Sequence, residues 1–549
     1  MTASAAPDVE PAGARLHWPA SWDTVRRRRA VALAVAGLLV ALVVGLALGL
    51  SGASPAPPDT GAARLVPADA LAYLNVSLDR GRPGVSQTRH LASQLPGFGL
   101  AETAVEQRLG VLGGGGSSFS GASRAWLGDE AALAVLPSGG SGSRAGSLVL
   151  IEARRVSAAR RHLASLPAST TVYDRGIEVR ALSGGSYVAL LGHYVVAGQL
   201  ASVRQAVDVF RGASSLASAS AYRRASSGEP PGRTLDVYAP AAGLAALLGG
   251  RTGILGTLHT LLDQPGLSSV SASVSSAPGG LRLQVHSVFA GGAGRTSGAT
   301  FDPSVLRRLP DDVAFALDMQ GLTGAGPRLL SAAGDLGVGG AVAPLLARLG
   351  RALRAEGYDL TPLLKLFGGQ TAVAVTDGGG HPGVLVLTRT DDPSAARIVL
   401  ANLAPSLTSL FPAASSGPGA APLFNGVQTH GMVIHQLQLG PGLQVNYTIY
   451  HHLVGVSTSV AALTSLAPGD GTLGASAGYR TAFGTGDVSA GSLVFLDLKV
   501  LIRLGEQTGV LNGPGFASLA PDLDRISVIG LRARSDKTES TSELYFNIP

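Results

Sequence analysis

The sequence predicts an α+β protein, with an N-terminal transmembrane helix followed by two tandem copies of an antiparallel-sheet-plus-helices domain. Three observations lead there. An uncharged apolar run near the start is long enough to cross a bilayer. Five sequence blocks recur in the same order in the second half. Short stretches alternate apolar and polar residues with a period of two, and amphipathic helical stretches separate them.

Composition bounds the possibilities first. The chain has 549 residues, 46% of them apolar and 14% charged, with 75 Gly and no Cys. That length exceeds one ordinary core, so more than one domain is expected. The low charge and ample apolar share exclude a mainly disordered chain. Without Cys there are no disulfides, thiolate metal sites or Cys nucleophiles. The formal net charge of +6 is thin for this length, and the dense basic run is Arg26–Arg29. Nucleic-acid binding needs clustered Lys and Arg with aromatics among them, so no nucleic-acid partner is expected.

The run Ala30–Leu50 (AVALAVAGLLVALVVGLALGL) is built from Ala, Val, Leu and Gly. As a helix it spans about 31 Å at roughly 1.5 Å per residue, matching the hydrocarbon core. Arg26–Arg29 precedes it and nothing equally basic follows, so residues 1–29 are expected in the cytoplasm and the bulk of the chain outside. A cleaved signal peptide is the competing reading, since Ser51 and Ala53 are small. Its apolar core would usually be shorter, about 7–15 residues. A buried soluble helix is a third option, disfavoured by the unbroken run and the flanking arginines. Residues 51–64 are small, polar and Pro-rich, as a linker should be.

Self-similarity organises the rest. Val66–Tyr73 (VPADALAY) recurs as Leu309–Ala316 (LPDDVAFA), and Trp126–Val135 as Leu366–Val375. Leu148–Leu163 answers to Leu385–Leu400, Gly176–Leu182 to Gly431–Leu437, and Leu216–Ala225 to Leu473–Ala482. Order is kept and spacing drifts only by loop-sized amounts. The expectation is two copies, 65–290 and 306–549, joined by 291–305, which contains the Gly-rich stretch Gly291–Gly298.

Each copy reads in the same coarse order. A first strand (Ala70–Ser77; Val313–Asp318) is followed by a helical stretch. In the second copy Val342, Leu345, Leu346, Leu349 and Leu353 form its apolar stripe, opposite Arg348, Arg351 and Arg354. Two apolar strands come next, then a helix opened by Ser157 in the first copy and by Asp392-Pro393 in the second. Further strands and a helix lead to a terminal hairpin. In the first copy Val270, Ala272 and Val274 alternate with Ser, Pro278-Gly279-Gly280 turns, and Leu281, Leu283 and Val285 alternate with Arg282, Gln284 and His286. Such alternation predicts an antiparallel sheet with one face buried and one solvated.

Three of these blocks carry a resemblance. Val66–Ala70, Trp126–Glu130 and Ser215–Tyr222 (SLASASAY) resemble an uncharacterised bacterial family of membrane-anchored proteins, common in actinobacteria and known as a domain of unknown function. The resemblance covers roughly residues 60–549. The second copy departs from the pattern, with Leu366-Phe-Gly-Gly-Gln370 where the acidic pair stood. It implies location and architecture, and carries no activity or site residue.

No pattern of chemistry stands above its bland reading. Gly474-Ala-Ser476-Ala-Gly478 matches the G-x-S-x-G elbow, which needs a strand before the Ser; here a loop precedes it. Gly469–Gly474 matches G-x-G-x-x-G but follows a helix. No Lys follows a Gly, so a P-loop is excluded. His430 and His435 fall in a strand-like stretch and His451 and His452 are adjacent, so each pair points to opposite faces and sheet-surface histidines are expected, not a metal site. Glu102 with Glu106 reads as a solvated helix face, and Asp311 with Asp312 as the turn after Pro310. Positions kept in both copies (Pro67/Pro310, Gly128/Gly368, Arg160/Arg397, Tyr222/Tyr479, Arg223/Arg480) read as scaffold. The alternative for the Tyr-Arg pairs is a repeated binding spot.

The expected function is thus a non-enzymatic, single-pass envelope protein whose duplicated extracytoplasmic region serves binding or scaffolding. No catalytic, cofactor or metal residues are assigned, and the partners are the membrane through Ala30–Leu50 and an envelope protein or apolar ligand. One alternative is a carrier or sensor of an apolar ligand such as a lipid, with the Val342–Glu356 helix as its lid. The other is a serine hydrolase using Ser476.

Overall fold

The computed structural model describes residues 60–79, 81–92, 125–137, 145–182, 185–249, 264–291, 299–321, 365–377, 382–410, 424–440, 443–467, 471–486, 488–507 and 525–548. The run Ala30–Leu50, Glu102, Glu106, the Val342–Glu356 stripe and nearly all of Gly291–Gly298 lie outside these residues. Among the described residues no helix is long and apolar enough to cross a membrane.

What the chain builds is one large antiparallel sheet with helices packed on it, an α+β architecture. The strands of the first half are β1 (Ala72–Ser77), β2 (Leu127–Leu136), β3 (Gly146–Ala153), β4 (Ala168–Asp174), β5 (Ile177–Leu182), β6 (Tyr187–Leu191), β7 (Tyr194–Gly198), β8 (Leu235–Pro240), β9 (Leu267–Ala277) and β10 (Gly280–Phe289). Those of the second half are β11 (Val313–Gln320), β12 (Gln370–Thr376), β13 (Gly383–Arg389), β14 (Asn425–Thr429), β15 (Met432–Gly440), β16 (Leu443–Tyr450), β17 (Leu453–Ser457), β18 (Ser492–Asp497), β19 (Val528–Ser535) and β20 (Glu539–Asn547).

Strand pairings give one continuous order. From one edge it runs β4-β5-β6-β7-β3-β2-β1-β8-β9-β10. β10 then pairs with β20, and the sheet goes on β19-β18-β11-β12-β13-β17-β16-β15-β14. Among the described residues each half also has its own buried core, one around Tyr73, Leu148, Val196 and Tyr222, the other around Ala316, Leu385, Ile434 and Tyr479.

The helices are α1 (Pro83–Ala92), α2 (Val156–Ser165), α3 (Leu200–Phe210), α4 (Ser220–Ser226), α5 (Ala241–Leu248), α6 (Ser304–Arg307), α7 (Pro393–Leu410), α8 (Val460–Thr464), α9 (Ala477–Phe483) and α10 (Leu498–Gln507). α4 packs on β8, β9 and β10, and α9 packs on β18, β19 and β20. Local chemistry explains several starts. Asp392 Oδ1 accepts from the amides of Ser394 and Ala395, both at 2.9 Å, so α7 opens on its Asp-Pro signal. α2 begins one residue before the expected Ser157, with Arg155 at the cap and no side-chain bond there.

Three expectations shift. Gly61–Arg64, the end of the 51–64 linker, is a 3-10 helix with Ala62 and Ala63 buried. Its anchor is Glu130, whose carboxylate accepts from the Ala62 amide at 3.1 and 3.2 Å and from the Tyr194 hydroxyl at 2.5 Å. The terminal hairpin has no solvated face over most of β9. Ser269, Ser271 and Ser273 are as buried as Val274, because α4 covers the serine side and Ser271 donates to the Ala225 carbonyl at 2.9 Å. Finally, His430 is a turn residue. With φ 51° at His430 and 76° at Gly431 it makes the two-residue turn between β14 and β15, as Arg175 (φ 47°) and Gly176 (φ 78°) do between β4 and β5.

Candidate functional site at the seam between the halves

The antiparallel pairing of β10 with β20 sets Gln284 opposite Glu543 and Arg282 opposite Tyr545. β19 continues the same rows with Arg532 opposite Glu543 and Gly530 opposite Tyr545. Directly opposed residues share a face of the sheet, so Arg282, Glu543, Tyr545 and Arg532 rise on the side that α9 covers. Gly530 is what lets α9 approach. A Cβ there would lie 2.8 Å from the Ala482 Cβ.

Between α9, the Pro278 turn and this stretch of sheet lies a cleft of about 390 Å³. Arg282, Arg480, Arg532 and Glu543 supply its charge, and Phe483, Ala482, Pro278 and Tyr545 its less polar wall. One carboxylate serves two guanidiniums: Glu543 Oε1 lies 2.7 Å from Arg282 Nε, and Oε2 accepts from Arg532 Nε at 2.8 Å and Nη2 at 2.6 Å. Glu543 is the more buried partner, at 17% side-chain exposure against 46% and 35% for the two arginines. Arg480, on the exposed side of α9, has no hydrogen-bond or ion-pair partner for its side chain among the described residues. The cleft therefore carries three cations against one anion. Tyr545 is fixed by donating its hydroxyl to the Pro278 carbonyl at 2.7 Å.

A second polar group lies beside the seam under α4, and it is closed. Arg233 Nε sits 3.1 Å from Glu229 Oε2 and 3.0 Å from Asp236 Oδ1, all three side chains at 9% exposure or less. One guanidinium cannot neutralise two buried carboxylates. Desolvation, and then the neighbouring Asp236, push the Glu229 carboxyl up to about 9, and burial raises Asp236 also, so the pair holds a proton at neutral pH. Next to it Tyr222 meets Tyr73 and Tyr238 edge-to-face, with ring centroids 5.9 and 5.1 Å apart. His286 bridges onward, 2.9 Å from the Ala225 carbonyl and 3.3 Å from Glu539, which also pairs with Arg224 at 3.0 Å.

The residues singled out from sequence fall elsewhere. Ser476 caps α9, accepting from the Tyr479 amide at 3.1 Å in extended backbone (φ −68°, ψ 151°). This is a helix start that uses the serine oxygen structurally. Of the G-x-G-x-x-G stretch, residues 469–470 lie outside the described set. His435 stacks on Tyr447 at 4.5 Å, and burial lowers its pKa. His452 Nδ1 lies 3.3 Å from the Thr390 carbonyl. Among the described residues no three of His, Asp or Glu gather in a metal-holding group. Asp311 and Asp312 form the turn into β11. Tyr222 and Tyr479 are both core residues, whereas Arg223 and Arg480 are exposed and Arg480 alone lines the cleft. Sequence reasoning missed Arg532 and Glu543. Their alternation along β19 and β20 signals strand faces, but nothing local tells that β20 borders β10.

With this geometry in hand, comparison with known proteins gives one decisive finding. The family model described as "Protein of unknown function (DUF3352)" matches residues 31–409, well over half of the chain. The chain belongs to this family. The DUF3352 match takes in all of β1 to β13 and the seam's β10 strand, and stops before β14. No curated protein matches the sequence. Among solved structures, crystal form III of TP0453 aligns at 9% identity and a TM-score of 0.24, covering 41% of this chain and 79% of that one. Crystal form I aligns at 11% identity and a TM-score of 0.24, covering 43% and 80%.

Proposed function

We propose that this DUF3352 protein is a non-enzymatic, single-pass protein of the bacterial cell envelope, held by Ala30–Leu50 with residues 1–29 in the cytoplasm. Its extracytoplasmic region consists of two copies of one unit, 65–290 and 306–549, fused edge to edge into a binding or scaffolding platform.

The carrying observation is the strand order. Read inward from the two edges, the halves run β4-β5-β6-β7-β3-β2-β1-β8-β9-β10 and β14-β15-β16-β17-β13-β12-β11-β18-β19-β20, so each strand has a counterpart ten further on. Finer details support the same reading. Pro67 bridges Ser215 as Pro310 bridges Thr472. The Leu216 amide donates to Val66 as that of Leu473 does to Leu309, and the Ala153 amide to His193 as that of Thr390 does to His452. Glu130 ties down the short helix before β1, and its counterpart Gln370 accepts from Ser304 at the start of the short helix before β11.

Function follows from the fusion. Independent domains on a linker would move relative to each other, and their surfaces would have no fixed spacing. Pairing along the whole of β10 and β20 makes the two units one rigid sheet, with a charged cleft at its middle. A platform of that kind presents several surfaces at set distances, which is what scaffolding needs. The test of location is a reporter active only outside the cytoplasm, fused after residue 60 in a bacterial host. Activity is expected; an inactive fusion, with a cytoplasm-only reporter active at the same site, overturns the orientation.

A further inference from the structure

Charge, shape and position single out the seam cleft as more than a joint. Glu543 satisfies two arginines at once, so within the Arg282, Arg532 and Glu543 group one positive charge is left over. Arg480 adds a second, and its side chain has no partner among the described residues. Guanidiniums present forked donors that match the oxygens of phosphate, and three of them line this cleft. Beside them Phe483, Ala482 and Pro278 give a wall suited to an organic group.

We propose that this cleft binds a phosphate monoester, with Arg480 as the principal contact and Arg282 and Arg532 held in place by Glu543. The excess of two positive charges matches the dianion. Glu543 acts as a positioning residue: it keeps two arginines from folding onto each other's space and fixes their spacing. The proposal rests on the reading of the protein as a binding platform and names what one of its surfaces takes. Two sources share the chemistry, a soluble phosphate monoester and a lipid that ends in a phosphate monoester, as phosphatidic acid does.

The experiment is calorimetric titration of the full-length protein, in neutral detergent at low salt, with inorganic phosphate. Saturable binding is expected, weakened at least threefold in Arg480→Gln and in Arg480→Ala, while Arg223→Ala, at the corresponding exposed position of α4, binds like wild type. Two variants at one exposed helix position guard against loss of fold, and an unchanged thermal midpoint checks it. No saturable phosphate binding by wild type, or a change of less than threefold in both variants, overturns the proposal. Titrations with glycerol 3-phosphate and dihexanoyl phosphatidic acid then separate the sources: equal affinities point to a soluble ester, a tenfold preference for the second to a lipid. A negative result throughout leaves the platform reading standing, because that reading depends on the β10–β20 pairing and is tested by cross-linking there.

Discussion

Gln284 and Glu543 face each other at the centre of the sheet, the first on β10 and the second on β20. Gly128 and Gly368 are the third residues of the similar blocks that begin at Trp126 and Leu366. Following the pairs outward, Ala132, Asn75, Asp236, Ser273 and Gln284 stand in one row, and Ala372, Asp318, Leu493, Arg532 and Glu543 in the other. Under the two-copy reading these two residues are therefore counterparts, meeting where the copies meet. Their contacts differ. Gln284 donates to the Gly228 carbonyl at 2.7 Å, whereas Glu543 holds Arg282 and Arg532. On the same reading Arg532 corresponds to Ser273, which carries no charge to set beside Gln284.

Glu543→Gln should weaken this joint. It removes the charge that two arginines share, and the pairs are partly exposed, so the expected cost is about 1–2 kcal/mol. Urea unfolding at low and high salt checks it, with the difference from wild type shrinking as salt rises.

Asp318 sits on β11 between Ala372 of β12 and Leu493 of β18 and is buried. Burial pushes its carboxyl up to about 7 from 3.8, while the hydrogen bond from Gln370 Nε2 at 2.9 Å opposes that. A raised folded-state value means that stability is complete below roughly pH 4 and is lost as pH rises through about 7. Asp318→Asn removes that loss. The variant should match wild type near pH 4 and gain on it by up to ~1.4 kcal/mol per pH unit toward neutrality. Denaturation midpoints at pH 4, 6 and 8 test this, and parallel profiles would contradict it.

Tyr479 offers a clean separation of ring from hydroxyl. Its ring is buried against Phe483, with centroids 5.0 Å apart, and its hydroxyl has no hydrogen-bond partner among the described residues. Tyr479→Phe should be neutral or stabilising by up to ~1 kcal/mol, since it removes a buried unpaired group. Tyr479→Ala should cost about 3–5 kcal/mol through the cavity it leaves. Thermal unfolding of the two variants reads both outcomes.

Ser476 should behave as a cap. Ser476→Ala is expected to lower stability by about 1 kcal/mol. A fluorophosphonate probe should leave the wild-type chain unlabelled, and labelling lost in Ser476→Ala would revive the hydrolase reading.

Much of this fold can be read from sequence where the signal is local. The alternation of Val270, Ala272 and Val274 with serines marks β9, and Asp392-Pro393 marks the start of α7. The burial of those serines cannot be read that way, because the helix that covers them, α4, stands some forty residues earlier in the chain and Ser carries no apolar signature. The seam is harder still. Arg282 and Glu543 are hundreds of residues apart, and each looks like a solvated strand residue until β10 and β20 are side by side. Glu130 was visible as part of a repeated motif, yet its task of holding the Ala62 amide depends on a contact across the core.

The most direct test is whether β10 and β20 pair in the register that fuses the halves. The chain has no native Cys, so engineered pairs report without background. Ser287 and Ser540 are register partners, and opposed residues lie roughly 4.5–5.5 Å apart at Cα, within disulfide reach. In the full-length protein Ser287→Cys with Ser540→Cys should form an intramolecular disulfide under mild oxidation, seen by mass spectrometry. Ser287→Cys with Thr541→Cys, on opposite faces, should not. Absence of the first cross-link, or equal yield from both pairs, would contradict the fused two-unit platform.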